Sequence, residues 1–220
     1  MVKQERALRT RRALVRAAAE VFAEEGFAPA SLTAISRRAG VSNGALHFHF
    51  PNKKALARAV EEEALETVRG ITGRMSDEEG SALQMLVDVT HGLASRLAED
   101  VVLRAGFGLG RDPSRGRNAG SRLRLEWWKW VEECLRRAER QGLLAGGVSA
   151  EGAARAIVAT LVGFEVLEAG GDGKGWLSER SVSGFWELML PRLAERHALA
   201  SVTSMPTRRD HTGAWRGMTD

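Results

Sequence analysis

A short stretch near the start of the chain carries most of the side chains suited to polar recognition. Residues 31–50 read SLTAISRRAGVSNGALHFHF. Hydroxyl, amide and imidazole groups in this stretch can donate hydrogen bonds to phosphate oxygens or to the edges of bases. The candidates are Thr33, Ser42, Asn43, His47 and His49, the small residues Gly44 and Ala45, and Lys53 just beyond. These residue types and their spacing favour contact with a nucleic acid.

Two short helices joined by a tight turn must position these side chains. Ser31 and Ser42 are the expected N-caps, because a serine hydroxyl accepts a free backbone N–H of the first turn. Gly40 is expected to end the first helix in the left-handed conformation. The inward-facing residues are predicted to be Leu32, Ile35, Ala39, Val41, Ala45, Leu46 and Phe50. A helix, a turn containing glycine and a second helix make the helix-turn-helix pattern, whose second helix lies in the DNA major groove.

The flanking segments complete a basic three-helix head. Residues 5–25 are predicted to form a helix whose apolar stripe (Leu14, Ala18, Val21, Phe22) covers the other two. Asn52 is expected to cap a further helix that starts at Lys53. Residues 1–60 hold 11 Lys and Arg against 4 Asp and Glu, a net charge of +7, whereas the remainder carries −3. This asymmetry indicates phosphate binding, although charge alone would also suit a merely soluble basic surface.

The head closely resembles the DNA-binding segment of TetR-family transcriptional regulators. The shared residues are Phe22, Gly26, Phe27, Lys53, Leu56 and the ranges 31–35, 39–42 and 44–50. The resemblance implies that Gly44, Ala45 and His47 approach bases, while Thr33, Ser42, His49 and Lys53 contact phosphates. Family members usually carry tyrosine at the position of His47 and often lysine at that of Asn43. Gly44 could instead be a neutral helix position with no contact to DNA.

The rest of the chain is predicted to be helical as well. Helical periodicity marks the segments 53–68, 81–98, 101–109, 121–141, 149–169 and 176–199, and no segment alternates like a sheet. The fold is therefore expected to be all-α, with a head at residues 1–52 and a ligand-binding and dimerisation domain at 53–200. Residues 201–220 are predicted to be a disordered tail. The nearly all-apolar segment 149–169 suits a core or a homodimer interface.

The body resembles the γ-butyrolactone receptor branch of the same family. Residues 102–106 (VLRAG), Glu126-Trp127 and residues 159–163 carry this likeness. It implies that Trp127 lines an effector pocket and that Thr160 bonds the effector, with Met85, Leu86, Val89 and Val131 as apolar lining. Several members carry glutamine where this chain has Ala64. Without the resemblance, Trp127 would be ordinary core and Thr160 would bond its own helix.

Several other functions are disfavoured by the sequence. His47 and His49 stand two apart on a helix and do not face each other, so a metal site is not predicted. The glycines at 106, 108 and 110 and the GGDGKG segment lack a preceding strand, which excludes nucleotide loops. No serine or cysteine stands with a histidine and a carboxylate, so we expect neither an enzyme nor a bound cofactor. One cysteine, Cys134, and the absence of a signal or membrane-spanning segment predict a cytoplasmic protein.

The sequence thus predicts a homodimeric repressor that binds a pseudo-palindromic operator. A small hydrophobic effector of the γ-butyrolactone type is expected to release it. The alternative is a pseudo-receptor of the same branch that responds to an antibiotic or a biosynthetic intermediate. Less favoured hypotheses are a DNA-binding protein without an effector and an enzyme that processes lactones.

Overall fold

The computed structural model of the chain describes residues 2–76, 80–115, 121–171 and 173–207. Over these residues it is all-α, as predicted. The helices are α1 (Val2–Glu25), α2 (Leu32–Arg38), α3 (Asn43–His49), α4 (Lys53–Ser76), α5 (Ala82–Glu99), α6 (Val101–Leu109), α7 (Ser121–Arg140), α8 (Ala150–Ala169), α9 (Glu179–Leu193) and α10 (Arg196–Leu199). A short 3-10 turn, Pro113–Arg115, follows α6. In the described part of the chain no helix is both long enough and apolar enough to cross a membrane.

The chain divides into two compact units that do not coincide with the predicted boundary at residue 52. The first unit contains Met1–Arg69 and Glu99–Leu125, and the second contains Gly70–Ala98 and Glu126–Asp220. The first unit is larger than a three-helix head because one buried cluster unites α1, α2 and α3 with the start of α4 and with α6. Its most deeply buried members are Leu14, Val15, Ala18, Ala19, Ile35, Leu46, Leu56, Ala57 and Val60.

Gly106 allows α6 to pass very close to α4 within the first unit. A Cβ added at Gly106 would lie 2.5 Å from Ala64 Cβ and 3.5 Å from Leu123 Cδ2. Ala64 is fully buried at this crossing. The glutamine that several family members carry at this position would therefore not fit here without moving a helix.

Replacing Gly106 by alanine is expected to lower the free energy of unfolding by about 1–3 kcal/mol, because the added methyl overfills the crossing. Ala64→Gly alone should cost about 1 kcal/mol through lost helix propensity. The double variant should be more stable than the sum of the two losses predicts. Chemical denaturation of the four proteins checks this, and strictly additive losses would contradict the crossing.

The second unit buries the apolar helix faces that the sequence predicts. Leu83, Leu86, Leu93 and Leu97 of α5 are buried, and so are Trp127, Val131, Cys134 and Ala138 of α7. Burial raises the pKa of the Cys134 thiol to about 12, so the thiol is protonated at neutral pH.

The last predicted helix does not run unbroken over 176–199. It ends at Leu193 because Ala194 turns to an extended conformation and pairs with Leu144 in an isolated bridge.

The first residues of the predicted tail are ordered against α5. The Thr203 N–H donates to Gln84 Oε1 at 2.8 Å, and the Thr207 N–H donates to Asp88 Oδ1 at 3.0 Å. His91 Nε2 lies 2.9 Å from the Ser204 carbonyl oxygen, and burial lowers the pKa of His91. The prediction of disorder is thus corrected for residues 201–207, because three polar side chains of α5 bind their backbone. The rest of the predicted tail, from residue 208, lies outside the described residues.

Candidate nucleic-acid interface and effector site

The helix-turn-helix is formed as the sequence predicts. The Ser31 hydroxyl accepts the Ala34 N–H at 3.0 Å, and the Ser42 hydroxyl accepts the Ala45 N–H at 3.1 Å. Gly40 has φ +66°, a conformation that strains residues with a side chain. Ile35 and Leu46 are fully buried, so the opposite face of α3 is turned outward.

The exposed start of α3 offers donors that remain available after the helix has formed. Ser42 uses its oxygen as a cap, which leaves its O–H able to donate to a phosphate. Asn43 Oδ1 accepts a bond of 2.6 Å from the hydroxyl of Ser36. Ser36 is buried, and its single hydroxyl proton is shared with the Thr33 carbonyl oxygen, 3.0 Å from Oγ. This bond orients the Asn43 amide so that its NH2 group is the part left for recognition.

The remaining predicted contacts lie on or beside this outward face. Thr33, Gly44 and His47 are exposed, while Ala45 and His49 are half-buried. An added Cβ at Gly44 would meet only Ser42 Oγ, at 3.8 Å, so the backbone there is open to close approach. The structure thus gathers all of these predicted residues around α3. Whether each one contacts a base or a phosphate stays a prediction.

Phe48 is a surface residue of α3 that sequence reasoning missed. Its side chain is 83% exposed, although phenylalanine usually lies inside a protein. The Phe48 and His49 rings meet edge-on with centroids 5.3 Å apart. An exposed aromatic ring on a groove-facing helix suits apolar contact with a thymine methyl group. The signal was present in the HFHF sequence, whose second aromatic residue cannot share the inward face of Phe50.

Lys53 has a different role from the predicted phosphate contact. Its Nζ donates to the carbonyl oxygens of Phe27, Ala28 and Ala30 at 2.7, 2.8 and 2.7 Å. An ammonium group has three donors, and these three bonds use all of them. Lys53 therefore has no donor left for a phosphate. It instead stabilises the loop between α1 and α2, whose carbonyls have no helical partners.

Basic side chains on α1 supply the positive charge near this face. Arg9, Arg11, Arg12 and Arg16 are all exposed. The guanidinium carbon of Arg11 lies 5.4 Å from the centroid of the Phe50 ring, at the end of α3. This contact brings one cation of α1 to the helix-turn-helix, where it can attract phosphates.

The predicted effector residues all belong to the second unit. Trp127 is 1% exposed, and its buried indole Nε1 has no hydrogen-bond partner among the described residues. Its ring stacks on Trp130 with centroids 5.5 Å apart. A buried donor without a partner costs about 1–3 kcal/mol, so it calls for an acceptor such as a ligand oxygen. Leu86, Val89 and Val131 are buried, and Met85 is half-buried.

Thr160 is less suited to an effector contact than the resemblance implied. Its hydroxyl donates to the Ala156 carbonyl oxygen at 2.9 Å, within its own helix. This is the alternative that the sequence left open. Its oxygen can still accept a bond, so a role in effector binding stays a prediction.

Comparisons with known proteins agree with this arrangement. The family described as bacterial regulatory proteins, tetR family, matches residues 14–60. The A-factor receptor protein of Streptomyces griseus is 31% identical over 214 residues, which cover 92% of this chain and 70% of that protein.

Solved structures of similar proteins extend the likeness to the body. A crystal structure of a gamma-butyrolactone receptor (ArpA-like protein) is 26% identical with a TM-score of 0.74, covering 89% of this chain and 93% of that chain. The TetR family protein CprB from Streptomyces coelicolor, in complex with its biological operator sequence, is 28% identical with a TM-score of 0.76. It covers 89% of this chain and 94% of that chain.

Proposed function

Because the chain belongs to the tetR family of bacterial regulatory proteins, we propose that it is a homodimeric transcriptional repressor released from its operator by a small hydrophobic effector. The observation that carries the proposal is the two-sided character of α3. One face of this helix is buried through Leu46, and the other presents polar donors and an exposed aromatic ring. Because a bacterial repressor acts on DNA in the cytoplasm, the proposal places the protein there.

Operator binding uses the outward face of α3 in each protomer. Asn43, Gly44, Ala45, His47 and Phe48 read base edges in the major groove. Thr33, Ser42 and His49 contact phosphates and fix the register of the helix on the duplex. In a dimer the two α3 helices must be about 34 Å apart, one turn of DNA, to enter successive grooves of a pseudo-palindrome.

The dimer interface is proposed on α8 and α9. Val166 and Leu167 are 43% and 44% exposed on α8, and Leu188 is 81% exposed on α9. Exposed apolar side chains of this size on neighbouring segments of sequence suit burial against a second copy. The predicted apolar character of α8 therefore supports association, since the helix is not fully covered within one protomer.

The effector is proposed to bind beside Trp127 and to accept a hydrogen bond from its indole N–H. A γ-butyrolactone supplies a carbonyl acceptor together with an apolar chain for Leu86, Val89 and Val131. An antibiotic or a biosynthetic intermediate with a carbonyl group would satisfy the same donor. Effector binding needs to favour the released conformation by only about 1–3 kcal/mol, the usual range of allosteric coupling.

Trp127→Phe is expected to weaken the effector response while keeping operator binding. The substitution keeps most of the ring but removes the N–H, which forms no hydrogen bond within the described chain. Losing this bond should raise the effector concentration needed for half-release by about tenfold or more, since a buried hydrogen bond lost to an unpaired partner costs about 1–3 kcal/mol.

The matched control is Trp128→Phe, at a half-buried position on the same helix. Fluorescence anisotropy of an operator duplex, titrated with a panel of γ-butyrolactones, measures both properties. An unchanged response in Trp127→Phe would remove Trp127 from the effector site. Consumption of the lactone during incubation would instead favour an enzyme.

A further inference from the structure

Phe27 occupies the centre of a cluster of charged side chains in the first unit. It follows α1, it is 7% exposed, and it begins the loop that leads into the helix-turn-helix. Lys53 Nζ lies 4.7 Å from the centroid of its ring, and the guanidinium carbon of Arg115 lies 5.2 Å from the same centroid. The Phe27 backbone N–H donates to Asp112 Oδ2 at 3.1 Å. Both the ring and the backbone of this residue are therefore held.

Two of these groups come from the segment that follows α6. Asp112 and Arg115 lie 85 and 88 positions beyond Phe27 in the sequence, in and around the 3-10 turn Pro113–Arg115. We call Phe27, Glu61, Asp112 and Arg115 the Phe27 clamp. No part of it takes part in the proposed DNA contacts or in the effector site.

Arg115 is fixed by a buried, two-pronged ion pair. Its Nη1 and Nη2 donate to Oε1 and Oε2 of Glu61 on α4, at 2.5 and 3.0 Å. The two side chains are only 7% and 18% exposed. Nη1 also lies 3.3 Å from the carbonyl oxygen of Leu109, the last residue of α6. Removing one partner of such a buried ion pair destabilises the fold, because the other charge is left buried and uncompensated.

Asp112 is fixed by the turn itself. Its Oδ1 accepts the Ser114 N–H at 2.9 Å and the Ser114 hydroxyl at 2.5 Å. The hydroxyl of Ser114 is the main cause that holds the pKa of Asp112 below its ordinary value. The carboxylate is thus ionised at neutral pH and accepts the Phe27 N–H through its other oxygen.

We propose that Asp112 and Arg115 are positioning residues that set the orientation of the helix-turn-helix through Phe27, and so set the half-site spacing that the dimer accepts. The proposal rests on the proposed function, since orientation matters only to a protein that spans two half-sites. The clamp ties together the end of α6, α4 and the entry to α2.

The test compares operators that differ only in spacing. The wild-type chain first selects a duplex from a random-sequence pool, and versions with one base pair inserted or removed between the half-sites are then made. One base pair shifts a half-site by about 3.4 Å and about 34–36°. The wild type should prefer the selected spacing by about tenfold or more, because several contacts worth about 1–3 kcal/mol each are misplaced.

Arg115→Gln and Glu61→Gln should reduce that preference to about threefold or less, since a head that is free to reorient adapts to each spacing. The charge-swapped double variant Glu61→Arg with Arg115→Glu should recover much of the preference. Arg140→Gln, which breaks the exposed Arg140–Glu133 pair, should leave it unchanged. If the Arg115 variant does not fold, Asp112→Asn tests the same proposal. Asp112 lies near the surface, so this substitution is expected to disturb the fold less.

A clamp that only stabilises the fold gives a different result. The variants would then lose the same factor of affinity for every spacing, in line with their lower melting temperatures, and the proposal would be overturned. If the wild-type chain itself selects no duplex, the proposed function fails and the clamp proposal falls with it.

Discussion

Gly44→Asp is expected to abolish operator binding without weakening the fold. Gly44 is exposed in the first turn of α3, where an added Cβ would meet only Ser42 Oγ, at 3.8 Å. An aspartate at this end of a helix interacts favourably with the macrodipole, and it has a better helix propensity than glycine. The same carboxylate would face the bases and phosphates of the groove, where a like-charge contact costs about several kcal/mol. Affinity should fall by about 100-fold or more, since each 1.4 kcal/mol is tenfold.

Gly152→Asp is the matched control for this variant. Gly152 also lies exposed in the first turn of a helix, α8, and an added Cβ there would meet the capping residue Ser149 at 3.7 Å. It should gain helix stability in the same way and bind the operator like the wild type. Anisotropy titrations and thermal melts of both variants separate the two effects. Retained affinity in Gly44→Asp would mean that α3 does not face the groove.

Leu46→Ala is expected to lower the free energy of unfolding by about 2–5 kcal/mol, the range for truncating a buried leucine. Leu46 is fully buried in the cluster that joins α3 to α1, α2, α4 and α6. A seven-residue helix such as α3 has no stability of its own, so its place depends on this contact. Operator affinity should fall together with the folded fraction.

Leu8→Ala provides the comparison, since Leu8 is 56% exposed on α1 in the same unit. It should change stability by less than about 0.5 kcal/mol. Denaturation curves for the two variants check the difference. Similar stability losses at both positions would contradict the burial of Leu46 under α3.

The local features of the fold could be predicted from the sequence because neighbouring residues determine them. Ser31, Ser42 and Asn52 cap helices as expected, and Gly40 ends α2 in the left-handed conformation. The apolar periodicity of α5 and α7 also gave their buried faces correctly. Each of these features depends on groups within a few positions of one another.

The contacts that sequence reasoning missed join residues far apart in the chain. Lys53 binds carbonyls more than 20 positions away, and Asp88 binds Thr207 across 119 positions. Hydrophobic periodicity cannot reveal contacts between residues so far apart in the sequence. Lys53 in particular looked like a phosphate ligand, because the sequence shows a cation in a first helical turn but not the loop carbonyls that surround it. The unit boundary was missed for the same reason, since α6 joins the head only through long-range packing.

Ligand-released, sequence-specific DNA binding is tested most directly by anisotropy of a labelled duplex from the gene's own upstream region, titrated with this protein at several salt concentrations. We expect tight binding that survives excess random DNA and falls steeply with salt, because phosphate contacts release counterions. Adding one compound of the γ-butyrolactone type, or an antibiotic intermediate, should then abolish the binding. Weak binding that is equal for every duplex and indifferent to every compound would contradict a ligand-released, sequence-specific repressor.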